Sequence, residues 1–245
     1  MSDIQRHLRA KTGDVAPYVL IPGDPGRAER IAETFVAPQL VARNREYTLF
    51  TGRTAAGTPI SVCSTGIGGP SASIAVEELV RIGATHFIRV GSAGGRQPGT
   101  PIGSVIVVTA AFRGEGTSLD YIPLGYPAAA DLDVTLALRR AAEEYLGRRA
   151  IEGVVYTRDA FYRRDDGLNQ RLTEAGVVAA EQECSTVFVV GALLGVKVGA
   201  VLGTDSNIYL DPQPTREEKE ALYRQVERET IAIASAAVDR LHAEA

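Results

Sequence analysis

The sequence predicts an α/β protein built on a mixed, mainly parallel sheet, and three observations point there. Short runs rich in Val and Ile alternate with helical patterns from one end of the chain to the other, as in repeated strand-helix units. Two of these runs, ending at Ile21 and Cys63, pass through glycine-rich turns directly into helical patterns. The stretch from Tyr47 to Cys63 turns at Ala56-Gly57 as a hairpin, so the sheet is not purely parallel.

The elements follow in order. Residues 18–21 form an apolar strand that stops at Pro22-Gly23, and Asp24 with Pro25 marks a capped helix start. Residues 58–63 form the second arm of the hairpin, and residues 72–82 carry apolar side chains at helical spacing. Strands are predicted at 85–90 and 104–109, and 113–130 is the longest irregular stretch, of the kind that is often functional or interfacial. A helix over 134–146 precedes a strand over 151–156. A short apolar strand, 177–180, leads into a largely apolar, buried helix over 184–194. A strand over 196–202 and a long helix over 215–242 close the chain, the helix introduced by Pro212 and Pro214 and capped by Thr215. There is no repeat and no linker, so residues 1–245 read as one domain.

Composition narrows the function. With 45% apolar residues in 245, the chain can bury a sizeable core, and its net charge of -4 argues against general nucleic-acid binding. Cys63 and Cys184 lack metal-binding spacing and only three histidines accompany them, which argues against a zinc site or disulfide framework. No run approaches a membrane-spanning length and the first residues carry no signal region, so the chain reads as cytoplasmic.

The segment Thr85-His-Phe-Ile-Arg-Val-Gly-Ser-Ala-Gly-Gly95 places a permanent cation, Arg89, near the end of an apolar strand. A buried guanidinium needs either an anionic ligand or an internal carboxylate. Gly91 to Gly95 lets backbone and the Ser92 hydroxyl approach something small. Ile21-Pro-Gly-Asp-Pro-Gly-Arg27 offers a helix start and a second guanidinium, which suits phosphate; a tight turn with a solvated Arg27 is the structural alternative. In a parallel sheet both segments reach the same edge, where ligands bind. Ser64-Thr-Gly-Ile-Gly-Gly-Pro-Ser71 is neither a dinucleotide fingerprint nor a P-loop, which disfavours NAD and ATP. Glu181 and Glu183, two apart in extended chain, point the same way and suit vicinal hydroxyls, or else form an acidic helix start. Asp205 ends another buried strand, as a proton donor or a turn former.

Together and in this order, Gly23-Asp-Pro-x-Arg27, Arg45-Glu46, Ser64 to Ser71 with the helix Ile74-Ala-Val-Glu-Glu-Leu79, Arg89-Val-Gly-Ser92 and Glu181-x-Glu183 resemble the nucleoside phosphorylase superfamily of uridine phosphorylases and hexameric purine nucleoside phosphorylases. The resemblance runs from His7 through the last helix. It implies a single-domain three-layer sandwich, and cleavage of a nucleoside by inorganic phosphate, a co-substrate, with no cofactor. It implies that Gly23, Arg27, Arg89 and Ser92 bind phosphate, with Arg45 from a neighbouring subunit, and that Glu183, Glu181, Gln182 and Ser92 hold ribose, with Gln182 where the family usually has Met. His7 from the neighbour would bond the 5'-hydroxyl, giving shared sites in a homohexamer built from dimers. Glu46, the Ile67 carbonyl and Ser71 resemble a monovalent-cation site; no other metal is implied.

The base is less determined. Phe161-Tyr162 is followed by Arg163-Arg-Asp-Asp-Gly167 and not by the Gln-x-Arg that reads uracil in well-known uridine phosphorylases. Purine enzymes carry Ser-Asp after the last sheet strand; here the pair is Asp205-Ser206, in reverse order. The wording of residues 63–79 and 116–131 leans to the uridine branch. Uridine is therefore the expected substrate and a purine nucleoside the alternative. A nucleosidase has no need of Arg27, Arg45 and Arg89, and a non-catalytic binding module has no need of both the arginines and Glu183.

Overall fold

A computed structural model describes residues 4–244. β1 (Tyr18–Leu20) leads into α1 (Pro25–Ala32), where the Asp24 carboxylate accepts from the Gly26 and Arg27 amides as the cap. β2 (Val36–Asn44), β3 (Tyr47–Arg53) and β4 (Pro59–Cys63) form an antiparallel meander. The β3-β4 hairpin is the expected one, with Gly57 at φ +94° in its turn. β2 is not among the predicted strands, because its side chains are mostly exposed and its sequence carries no alternating apolar signal.

α2 (Gly69–Arg81) and β5 (His86–Gly95) follow, then β6 (Val105–Gly114). The stretch expected to be irregular contains the end of β6, α3 (Thr117–Tyr121) and β7 (Ala128–Ala129). Arg113, buried at 7% exposure, ties that segment together by donating to the Ser118 hydroxyl and to the carbonyls of Ser118, Ile122, Pro123 and Tyr126. α4 (Leu132–Leu146), β8 (Ile151–Arg158), α5 (Asp166–Glu174), β9 (Ala179–Glu181), α6 (Cys184–Leu193), β10 (Lys197–Asn207) and α7 (Arg216–Ala243) complete the order. A capping box between Thr215 and Glu218 opens α7.

The sheet is mixed. β1 pairs in parallel with β4 and β5, and β5 with β10. Beyond β10 the order continues through β6, β8 and β9, and β9 returns antiparallel to β5. Five strands thus close on themselves while β1 to β4 extend as an open sheet. Closure requires strong twist, and β10 supplies it with a register shift between Thr204 and Ser206 that leaves Asp205 as the extra residue. The alternation of apolar residues alone does not reveal this closure.

Side chains alternate across the sheet with period two. Val19, Ile21 and Phe87 face α2 and α6; Leu20, Ile88, Val90 and Val201 face α1, α4 and α7. The result is three layers with two cores, each fully buried large side chain contributing roughly 1.5 to 3 kcal/mol. α6 is buried on nearly every side, as its uniform apolarity predicts. α7 lies directly on β10: a Cβ at Gly203 would stand 2.7 Å from the Val226 Cγ1. No described helix is long and apolar enough to cross a membrane.

Candidate active site

The C-terminal ends of β1, β4, β5, β9 and β10 surround a cavity of about 880 Å³. Arg89 lies at its floor with 4% exposure. Its Nε donates to Oε2 of Glu181 at 3.1 Å, and its Nη2 lies 2.5 Å from Oε2 of Glu183. Arg89 therefore has the internal carboxylate partners of the structural alternative, and both of those carboxylates border the cavity. Burial pulls the guanidinium pKa down, but Glu183 and Glu181 outweigh that and raise it. Gly91 makes room for this side chain, because a Cβ there would stand 2.8 Å from Arg89 Nη2.

The two glutamates divide their work. Glu181 accepts from Thr157 Oγ1 at 2.5 Å through Oε1, and through Oε2 from Arg89 and from the amides of Glu183 and Cys184. Its Oε2 is filled by protein donors, so Glu181 braces Arg89 and the start of α6, while Oε1 carries the single Thr157 bond and the residue borders the cavity. Glu183 takes one donor on each oxygen, the Gly68 amide at 2.6 Å and Arg89, so each oxygen retains acceptor capacity for a hydroxyl. Burial pushes the Glu183 carboxyl up, against the pull of Arg89. Gln182 also lines the cavity and donates from Nε2 to the Asp159 carbonyl at 2.9 Å.

Gly23, Arg27 and Ser92 also line the cavity. The Gly26 and Arg27 amides are taken by Asp24, so the start of α1 offers these amides to its own cap and not to a ligand. This corrects the reading of the helix terminus as the anion site; the guanidinium remains. Arg27 is not solvated but 7% exposed, with Nε on Glu227 at 2.9 Å, Nη1 on the Val90 carbonyl at 3.1 Å and Nη2 on the Tyr223 hydroxyl. Five N–H groups minus these bonds leave donors for a ligand. Burial raises the Tyr223 hydroxyl, against the pull of Arg27 and the neighbouring Ser92. Burial raises Glu227, but hydrogen bonds from Arg30 and Arg27 prevail and hold it below the ordinary carboxylate value.

Asp205 and Ser206 both border the cavity, because the extra residue in β10 re-aims the chain there. The Ser206 hydroxyl donates to Asp205 Oδ1 at 2.7 Å, yet burial dominates and raises the Asp205 carboxyl. Phe161, 61% exposed, and Tyr162 stand at the rim.

Two expected ligands do not reach this cavity. His7 is held by Glu78, Nδ1 to Oε1 at 2.7 Å, and Arg45 sits exposed at φ +55° in the β2-β3 turn. Glu46 accepts from the Ser71 hydroxyl at 2.6 Å, and that bond lowers its pKa. Ile67, 78% exposed, lies on the cavity rim.

Sequence reasoning missed Tyr223 and Glu227, whose only signal was a spacing of one helical turn within a highly charged helix. It also missed Arg96 and Arg158, which line the cavity. Arg96 directly follows β5 and Arg158 ends β8, but neither lies in a motif.

The family model described as the phosphorylase superfamily matches residues 17–239. The uridine phosphorylase of Treponema pallidum is 44% identical over 82% of this chain and 81% of that relative. The guanosine phosphorylase of Halorubrum lacusprofundi is 41% identical over 83% and 84%. The crystal structure of uridine phosphorylase from Vibrio fischeri superposes with a TM-score of 0.87 at 37% identity, covering 96% of this chain and 97% of that one. A shared fold, similarity along nearly the whole length and a matching family model have one meaning: the chain belongs to the phosphorylase superfamily.

Proposed function

We propose that this protein is a nucleoside phosphorylase that uses inorganic phosphate to cleave the glycosidic bond of uridine, yielding uracil and ribose 1-phosphate, reversibly. The observation that carries the reading is the contact between Arg89 and Glu183 inside the cavity, 2.5 Å between Nη2 and Oε2. It holds an anion-binding cation against a carboxylate with acceptor capacity for sugar hydroxyls, so phosphate and ribose meet at one point. Uridine is favoured by the relatives from Treponema pallidum and Vibrio fischeri, each a uridine phosphorylase.

In the reaction a phosphate oxygen attacks C1' of the sugar while the bond to the base nitrogen breaks and its electron pair leaves with the base. Positive charge develops at C1' and negative charge on the base. Arg27, Arg89, Gly23 and Ser92 hold phosphate beside C1', where it both stabilises that charge and attacks. Glu183, with Gln182 and Ser92 beside it, orients the ribose. Charge-assisted bonds of roughly 1.5 to 3 kcal/mol each suffice to hold a dianion. No cofactor enters this scheme.

Arg27 and Arg89 are already paired with Glu227, Glu181 and Glu183. A dianion needs a further cation, and Arg45 of a neighbouring subunit supplies it; His7 of that neighbour reaches the 5'-hydroxyl. The exposed turn that carries Arg45 suits this role. The reading includes a homohexamer of dimers with shared sites, located in the cytoplasm, where the two buried cysteines stay unpaired. Glu46, Ser71 and the Ile67 carbonyl are retained as a monovalent-cation site.

A purine nucleoside is the second reading. It is favoured by Asp205, whose raised carboxyl borders the cavity as a proton donor to a purine nitrogen, with Ser206 and Phe161 beside it. The guanosine phosphorylase relative points the same way. The test is base release from uridine, thymidine, inosine, adenosine and guanosine, with and without phosphate. Phosphate-dependent uracil release is the expected result; purine release alone reverses the choice of base, and release without phosphate overturns phosphorolysis.

A further inference from the structure

We propose that Arg96, assisted by Arg158, reads the nucleobase, accepting bases that present oxygen acceptors (uracil, guanine, hypoxanthine) and rejecting those that present an amino group in the same place (cytosine, adenine). The proposal rests on the phosphorylase reading and deepens it.

Arg96 directly follows β5, and its amide is fixed to the Val178 carbonyl at 2.8 Å. Its side chain borders the cavity at only 6% residue exposure. Arg27 and Arg89 each meet carboxylates, and Arg113 meets a ring of carbonyls. Arg96 has neither arrangement. Its one side-chain bond within the described residues runs from Nη1 to the neutral Asn169 Oδ1 at 3.2 Å, and its Nε has no partner. Burial and the positive charges of Arg158 and Arg164 pull its pKa down, yet guanidinium does not lose its proton in proteins. A buried cation left under-satisfied is costly unless a ligand completes it.

The surroundings identify that ligand as a flat ring with acceptors. Arg158 is anchored by the carbonyls of Arg163 and Phe161, and its Cζ lies 6.0 Å from the Phe161 ring centroid. An aromatic ring and two guanidinium groups thus border the same cavity as the Arg89-Glu183 contact. Gln182, with Nε2 spent on the Asp159 carbonyl, retains an amide oxygen for a ring N–H. The guanidinium fork matches adjacent acceptors such as purine O6 and N7, or a uracil carbonyl. An exocyclic amino group would set donor against donor. The segment after Phe161-Tyr162 lacks Gln-x-Arg, and its Asp165 is used as the cap of α5, accepting from the Leu168 amide. A cation beside the base oxygen also meets the negative charge that grows on the departing base.

The experiment compares kcat/KM for uridine, inosine, guanosine, cytidine and adenosine, at saturating phosphate, in the wild type and in Arg96→Met. The wild type is expected to favour oxo over amino nucleosides by about 100-fold or more. Arg96→Met should bring that ratio towards one while leaving the phosphate KM within about twofold, since phosphate is bound elsewhere. Equal turnover of amino and oxo nucleosides by the wild type, or an unchanged ratio in Arg96→Met, overturns the proposal. Should that variant fail to fold, Arg158→Met must lower the ratio, and an unchanged ratio overturns the proposal. If the wild type releases no base, the phosphorylase reading fails separately. Calorimetry with uracil, guanine, cytosine and adenine then decides: an oxo preference lost in Arg96→Met upholds the proposal, and no preference sinks it.

Discussion

The Nη2 of Arg89 and the Oε2 of Glu183 lie 2.5 Å apart, with side-chain exposures of 4% and 7%. This pair joins β5, which carries the proposed phosphate ligand, to the start of α6, which carries the proposed sugar ligand. On the proposed function each residue is both a substrate contact and a structural partner, and mutation of either has two consequences.

Replacing Arg89 by Ala should abolish phosphate binding and most activity, and should also destabilise the fold by about 3 to 5 kcal/mol near neutral pH, because Glu181 and Glu183 are left buried without their cation. Burial already raises the Glu183 carboxyl, and loss of Arg89 raises it further. A carboxyl whose folded pKa exceeds its unfolded value of 4.5 holds extra protons when folded. Stability then falls as pH rises through the window between the two values. The deficit of the variant should accordingly shrink towards pH 4.5, as read by denaturant melts from pH 4.5 to 8. A deficit independent of pH would show that Arg89 does not compensate this charge.

Asp205 is raised by burial in the same sense, from an ordinary 3.8. Asp205→Asn should stabilise the protein at pH 7, an advantage that disappears as pH falls to about 3.8, where folded and unfolded forms are both largely protonated. If Asp205 protonates a departing purine, the variant should lose about 10²- to 10⁴-fold in kcat on inosine or guanosine while sparing uridine. Equal losses on both classes of substrate would remove it from the role of purine-specific acid.

Arg45 and Glu183 are predicted to serve one site from two chains. Arg45→Ala and Glu183→Ala should each be nearly inactive as homo-oligomers, whereas co-refolded mixtures should regain activity in sites that draw Arg45 and Glu183 from intact copies. In a random equimolar mixture about one quarter of sites is restored, if each site takes one residue from each chain. Native mass spectrometry verifies mixing, and verified mixed oligomers without recovered turnover would dismiss shared sites.

What the sequence determined by itself was local. Apolar periodicity located the principal strands and the helices of both cores, and Asp24 and Thr215 announced their helices because caps act through neighbouring amides. The buried cation Arg89 and the pair Glu181 and Glu183 could also be singled out, since such residue types at strand ends are costly without partners. The tertiary structure decided which of these groups are free to act. It gathered Arg89 and two amides on one oxygen of Glu181 while giving Glu183 one donor on each oxygen, a difference invisible in a two-residue motif. It brought Tyr223 and Glu227 from the far end of the chain onto Arg27, across about 200 residues of sequence. It closed five strands into a ring and inserted Asp205 as an extra residue in β10, so that both Asp205 and Ser206 meet the cavity. It also left Arg96 buried without a countercharge. Pairing of strands, closure and countercharge depend on contacts between residues distant in sequence, and local pattern carries no record of them.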